Sequence, residues 1–316
     1  MPTRSQLRRS ERIHRRTGRT FYLATRMFPK RIRHSTYVLY AFFRVADDIV
    51  DTTESIPPPV QRERLEQMRD AVLGRTETDD PVLLATRTLL DQNEIPAAEV
   101  ERFIDAMIAD IEHEPYETRA ALDAYMRGSA VAVANMMLAV MEPADFDRAK
   151  PHAAALARAF QLTNFLRDVK EDIREYDRVY LPGETREAFG VTLDQIEAGT
   201  ADTSFRRAMQ VELARTEDLY RHGVAGICHL PADTQFAVLL AAVLYADYHR
   251  AIVAKEYDVF TERPSLSTRR KLSLLARTRF YWALSGDPVA VFDRVASIGR
   301  IDHRETGSLP PAETPM

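Results

Sequence analysis

A single cysteine, Cys228, stands in a chain of 316 residues. That excludes an internal disulfide framework and leads us to expect a reducing compartment. Glycine is also scarce, at 11 residues, and no segment of any length alternates apolar and polar side chains with the period of two that a half-buried strand needs. The longest strongly apolar run, 236–246, is too short to cross a bilayer, for which about 20 residues are required. Excess positive charge is missing: a formal net charge of −4 and a pI near 6.1 argue against a general nucleic-acid binder. There is no Gly-x-Gly-x-x-Gly, no Walker loop and no Ser or Cys nucleophile in a recognisable setting. A di-iron bundle needs two Glu-x-x-His motifs, and one is present, Glu11 with His14. The N-terminus has no signal-peptide apolar core but is rich in arginine, with Arg4, Arg8, Arg9, Arg12, Arg15, Arg16 and Arg19.

Helices remain, and they read off in order. The pattern predicts helices over 5–16, 20–28, 30–51, 60–73, 81–93, 96–112, 119–141 and 151–176, then 204–222, 233–259, 267–284 and 288–298. Residues 178–190 read as a loop, and Thr192 with Gln195 as the capping signal of a short helix. Residues 301–316 are polar and proline-bearing and read as a disordered tail. The expectation is an all-α, single-domain bundle over residues 1–300, in which facing helices enclose a central cavity.

Two of these helices carry an unusual stripe. Within 37–51, Tyr37, Tyr40, Arg44, Asp47 and Asp51 recur at i, i+3, i+7, i+10 and i+14. Within 161–172, Gln161, Asn164, Asp168 and Asp172 recur at i, i+3, i+7 and i+11, with Arg167 beside them. One Asp-x-x-x-Asp is usually a solvated face. Two, each inside an otherwise apolar helix, are not. Burying two unpaired carboxylates one turn apart is costly, so something positive belongs there: an arginine for one of them, or a divalent cation for both. Asp48 lies off the stripe and reads either as a support for the pair or as a local ion-pair partner.

The strings FYLATRMFPK, YVLYAFFRVADDIVD, QLTNFLRDVKED and RVYLP resemble the phytoene and squalene synthase family of head-to-head prenyl transferases over about residues 17–283. The phytoene-forming branch fits best. The resemblance implies an isoprenoid-synthase type of helical bundle. It implies condensation of two geranylgeranyl diphosphates, through a cyclopropyl diphosphate, to phytoene in carotenoid biosynthesis. The alternatives are a squalene or dehydrosqualene synthase acting on farnesyl diphosphate, and a non-catalytic assembly factor on the same fold. Asp47, Asp51, Asp168 and Asp172 are expected to hold Mg²⁺, with Mn²⁺ as the alternative ion, against a prenyl diphosphate; no NADPH is expected. Arg44 and Arg167 contact phosphate or hold the aspartates in structural ion pairs. Arg178 and Tyr180 are expected to reach the diphosphate, although the loop before them is one residue longer than the common form and lacks its Gly before the Arg. Arg19 and Thr20 are expected at the phosphate, at a helix N-terminus. Phe21, Tyr40 and Tyr248 are candidate aromatic walls for a cation, the plain alternative being core. In 125–141 the small residues make either a tunnel, with Tyr125, Ser129, Ala132 and Met136 on one face, or room for a close helix. The expected location is cytoplasmic. The apolar product and the basic N-terminus suggest peripheral contact with the inner membrane face, and a downstream desaturase is the candidate protein partner.

Overall fold

The computed structural model of the chain describes residues 2–51 and 56–296. Among them are fifteen α-helices: α1 Arg4–Thr17, α2 Arg19–Thr25, α3 Lys30–Asp51, α4 Pro58–Val72, α5 Pro81–Gln92, α6 Ala97–Ala109, α7 Arg119–Met126, α8 Val133–Met141, α9 Phe146–Tyr176, α10 Gly183–Phe189, α11 Leu193–Glu197, α12 Thr203–Ala225, α13 Ala232–Val253, α14 Thr268–Ser285 and α15 Pro288–Val295. A π-helical segment, Arg127–Ala132, joins α7 to α8, and a short 3₁₀ turn, Gly226–His229, follows α12. No strand occurs among the described residues, and the all-α class holds.

Helix starts follow local chemistry. The Thr3 hydroxyl accepts from the Gln6 N–H while the Gln6 side chain accepts from the Thr3 N–H, a reciprocal cap on α1. Asp80, Asp145, Asp202 and Ser267 cap α5, α9, α12 and α14 with a side-chain oxygen. Thr192 caps α11 through the Gln195 N–H at 3.1 Å, as its spacing implies.

Three apolar clusters make the core. One gathers α3–α8 around Phe42, Phe103 and Leu65. A second joins α2, α9 and α12–α15 around Tyr220, Leu240 and Phe292. A third packs the C-terminal part of α9 on the 179–181 segment and α12, around Phe205. Each fully buried large apolar side chain is worth about 1.5–3 kcal/mol, so these clusters fix the helices that frame the site.

Several boundaries differ from expectation. The stretch read as a loop, 178–190, contains α10. Helix α9 begins at Phe146, capped by Asp145, and carries Pro151 inside it; burial of its flanks outweighs a proline cost of about 3 kcal/mol. The single helix expected over 119–141 is interrupted by the π segment. Two helical stretches, Arg119–Met141 and Ala232–Val253, are long and apolar enough to cross a membrane by length and composition, although no uninterrupted apolar run in the sequence is. Most of each lies inside the protein, at 61% and 72% buried, which marks them as central core helices. The tail expected over 301–316 lies outside the described residues, as do 52–55 and 297–300.

Candidate active site

Helices α3 and α9 face one another across a cavity of about 640 Å³. From α3 the wall receives Thr36, Tyr40, Phe43, Arg44, Asp47 and Asp51; from α9 it receives Gln161, Asn164, Arg167, Asp168 and Asp172. Both polar stripes therefore reach one cavity. Tyr37, the first member of the α3 stripe, does not: it is core, edge-on to His14. The cavity follows α9 from Ala149 to Asp172, about 34 Å of helix. Its two ends differ in chemistry. The aspartates sit toward the C-terminal ends of α3 and α9. Away from them the wall is mostly apolar, with Phe28, Met141, Leu156 and Ile227, and His152 and Thr25 among them.

Each aspartate pair is built asymmetrically. Asp51 is 3.3 Å from Arg178 and 3.7 Å from Arg44, and Arg44 is 2.6 Å from Asp48, which is thus the local ion-pair partner. Asp168 accepts from Arg167 Nε at 2.7 Å and from Arg263 Nε at 2.8 Å. Asp47 and Asp172 form no ion pair or side-chain hydrogen bond among the described residues. Burial, then repulsion from Asp51, raises the Asp47 pKa to about 7 against a weaker pull from Arg44. Burial, then repulsion from Asp168 and Glu171, holds Asp172 well above the carboxylate range, and Asp51 is also raised, burial outweighing Arg178 and Arg44.

These residues suit divalent cations. The donors are hard oxygens, and two of them lack the positive partner that their burial calls for. Among the described residues no group of three or more His, Cys, Asp or Glu side chains forms a ready-made metal cage. Two carboxylates per wall fit an ion that completes its shell with phosphate oxygens and water.

The loop after α9 closes the polar end. Asp177 ends the helix in the left-handed region at φ 55, at the position before Arg178 where the expected Gly is missing. The Arg178 N–H donates to the Asp172 carbonyl at 3.0 Å, which ties loop to stripe. Tyr180 lines the cavity and stacks on Phe165 at 3.8 Å. Its phenol donates to Asp110 at 3.2 Å, and the Tyr125 phenol donates to the same carboxylate at 2.6 Å. Burial holds both phenols far above their ordinary pKa, so both stay donors.

Three expected residues lie off the wall. Arg19 is exposed at the first position of α2, whose cavity face is the Phe21, Ala24, Thr25 side, so the fold does not bring Arg19 to the wall where it was expected. Thr20 is buried against Tyr248, their hydroxyls 3.1 Å apart. Tyr248 itself supports Arg167, whose guanidinium lies 4.6 Å above its ring. Phe21 does line the cavity, 4.1 Å from Tyr245 and 5.2 Å from Phe160 by ring centroids. The face expected from 125–141 is corrected as well. Tyr125 and Ser129 line the cavity, but Ala132 and Met136 are core, and Val133, Ala134 and Met137 take their places. The wider π turn advances the register by one residue. Within it Gly128 abuts α6, where a Cβ would fall 2.4 Å from the Arg102 carbonyl oxygen, so small residues serve both tunnel and close helix.

Among the wall residues that the sequence reading did not single out are Asp110, Glu171, Arg263 and His14. Asp110 continues the Phe103, Met107 face of α6, a signal that was readable. Arg263 meets Glu171 at 2.6 Å across a long loop and left no local signal. His14 is fully buried, both ring nitrogens without a partner, and stacks on Tyr40 at 3.8 Å and 9°. Gly18 allows this stack to approach, since a Cβ there would lie 2.4 Å from the Tyr40 hydroxyl.

Known proteins are similar to this chain in sequence and fold. The profile of the squalene/phytoene synthase family matches residues 14–270. A phytoene synthase of Cereibacter sphaeroides is 32% identical over 282 residues, covering 85% of this chain and 78% of that protein. A 15-cis-phytoene synthase of Synechocystis is 30% identical over 274 residues, covering 82% and 80%. Among solved structures, a dehydrosqualene synthase in complex with ligand superposes with a TM-score of 0.80 at 27% identity, covering 89% of this chain and 97% of that one. A squalene synthase of Alicyclobacillus acidocaldarius gives 0.71 at 26%, covering 81% and 95%.

Proposed function

This chain belongs to the squalene/phytoene synthase family, and from that membership and the cavity we infer that it is a phytoene synthase. It joins two geranylgeranyl diphosphates head to head, through a cyclopropyl diphosphate, to a forty-carbon hydrocarbon, with release of two diphosphates and two protons, one lost on closing the cyclopropane and one on forming the final double bond. The single observation that carries the reading is the pair of facing aspartate stripes at one end of a long apolar cavity. Asp47, Asp51, Asp168 and Asp172 would hold Mg²⁺, or Mn²⁺ in its place; a bound divalent ion supplies positive charge against a departing diphosphate.

The protein's own groups do the rest. Arg178 and Arg263 stand at the polar end with guanidinium N–H groups that can grip phosphate oxygens. Arg44 and Arg167 share the aspartates, which keeps the carboxylates apart from one another and oriented. The faces of Phe21, Phe160 and Tyr245 on one side, and of Phe165 and Tyr180 on the other, stabilise an allylic cation without attacking it. The buried apolar walls exclude water that would quench it.

A competition assay tests the substrate. Equal farnesyl and geranylgeranyl diphosphate are supplied with Mg²⁺ and no NADPH, and hydrocarbons are separated by chromatography. Forty-carbon product is expected to dominate. Thirty-carbon product dominating, or a requirement for NADPH, overturns the assignment in favour of a squalene-type enzyme.

A further inference from the structure

Six large apolar side chains are exposed among the described residues, and four of them share one corner: Leu272 at 54%, Phe280 at 60% and Leu284 at 67% on α14, with Val289 at 41% on α15. On α14 the exposed apolar positions fall at 272, 276, 280, 283 and 284. At 100° per residue they span an arc of about 120°, with Arg269 and Arg279 on the same side of the helix. The opposite face is already used: Leu274 and Thr278 are fully buried in the second core cluster's region.

The helix is also positively charged throughout. It carries Arg269, Arg270, Lys271, Arg277 and Arg279 and no carboxylate, on a chain whose net charge is −4. Arg270 is occupied by buried Asp247 at 2.6 Å. Arg269, Lys271, Arg277 and Arg279 form no ion pair among the described residues. Arg277 donates to the Arg294 carbonyl and Arg279 lies over Phe236, contacts that leave their charge uncompensated.

The other basic helix, α1, differs. Its arginines are exposed, but its apolar Leu7 and Ile13 already pack on the core, so it offers charge with nothing to insert. Among the described residues only α14 combines uncompensated cations with a row of exposed apolar side chains.

We propose that α14, with the start of α15, is a membrane-docking face that lies in the surface of an anionic lipid bilayer. A row of exposed apolar side chains flanked by cations matches the interface of such a bilayer, where apolar side chains enter the acyl boundary and Arg and Lys meet phosphate headgroups. The proposal goes beyond the catalytic reading and stands independently of it. The face also adjoins the site: Arg263, on Asp168 and Glu171, precedes the Ser267 cap by four residues.

The test uses the full chain and flotation with vesicles of phosphatidylglycerol plus phosphatidylcholine, or of phosphatidylcholine alone. Wild type is expected to float with anionic vesicles and to bind neutral ones about tenfold or more weakly. Phe280→Glu with Leu284→Glu, and Arg269→Glu with Arg279→Glu, are each expected to weaken anionic binding about tenfold or more while thermal unfolding stays unchanged, since all four side chains are exposed or on the exposed face. Arg8→Glu with Arg9→Glu on α1 is expected to retain binding within a few-fold. The proposal fails if wild type does not float, or if the α14 variants float as wild type does. It fails if binding is lost through α1 instead. It fails if flotation requires deletion of residues 297–316, which would make the chain's own terminus the occupant. It also fails if Leu284→Glu converts a dimer to monomer in sedimentation, which would make the face a contact between copies.

Discussion

His14 and Asp47 show how burial turns single side chains into pH-dependent stability terms of opposite sign. The His14 pKa is lowered from 6.5 to about 3 by desolvation, so the folded protein keeps it neutral while the unfolded chain protonates. Above pH 6.5 it contributes nothing to the pH dependence; from 6.5 down to 3 it costs progressively more stability. Between pH 7 and pH 5 the loss is about 2 kcal/mol. Asp47 runs the other way: its pKa, raised to about 7, penalises the metal-free fold above that pH and releases the penalty as pH falls toward 3.8. Comparison with His14→Phe isolates the first effect, because the variant keeps Asp47 and an aromatic ring on Tyr40. Urea unfolding at pH 7 and pH 5 should show wild type losing about 2 kcal/mol more than His14→Phe over that interval; equal losses would contradict the buried neutral imidazole. At this scale the aspartates were legible because a carboxylate pair in an apolar helix demands explanation. His14 was readable only as half of an incomplete Glu-x-x-His motif. Its meaning comes from Tyr40, which lies on another helix, and from the absence of a side chain at Gly18.

At the scale of elements, α3 was legible to the residue over Lys30–Asp51, because proline and charge bracket a continuous apolar pattern. The π segment was not. Its composition is that of any Ala-rich helix, and only packing of Gly128 on α6 reveals the wider turn that moves Val133 and Met137 into the cavity. Nor was α10, whose short length carries too little periodicity to outweigh the Pro and Gly that precede it. The tail wall makes a prediction here. Thr25 is buried on the cavity face of α2, one turn beyond Phe21, where a small side chain keeps the tunnel open. Thr25→Phe should shift the preference from the twenty-carbon toward the fifteen-carbon diphosphate by about tenfold or more, because an added ring removes the room that an extra isoprene occupies. Unchanged product length in the competition assay would place the end of the tunnel elsewhere. The turn after α9 makes another. Asp177 holds φ 55, a conformation that costs an L-residue up to about 1–2 kcal/mol and glycine almost nothing. Asp177→Gly should raise the unfolding midpoint, or leave it unchanged where the local aspartate contacts offset the strain; a clear drop would show that the side chain supports the Arg178 turn.

For the whole molecule, the design is segregation: charge at one end of a bundle cavity, apolar wall along the remainder, and a basic amphipathic helix outside. The class of fold followed from what the chain lacks, since without strand periodicity or linker composition the two stripes could meet only across a helical bundle. The cavity's polar end required tertiary structure, because Asp110 and Arg263 reach it from α6 and from the segment before α14. The central claim is that the two stripes act together on one diphosphate site. The most direct measurement is turnover of geranylgeranyl diphosphate with Mg²⁺ by wild type, Asp47→Asn and Asp172→Asn, each checked for folding by thermal unfolding without metal. Both variants should lose about a hundredfold or more of hydrocarbon formation, with unfolding midpoints at pH 7.5 equal to or above wild type because a repelled buried charge is gone. Turnover by either variant within a few-fold of wild type would contradict the account.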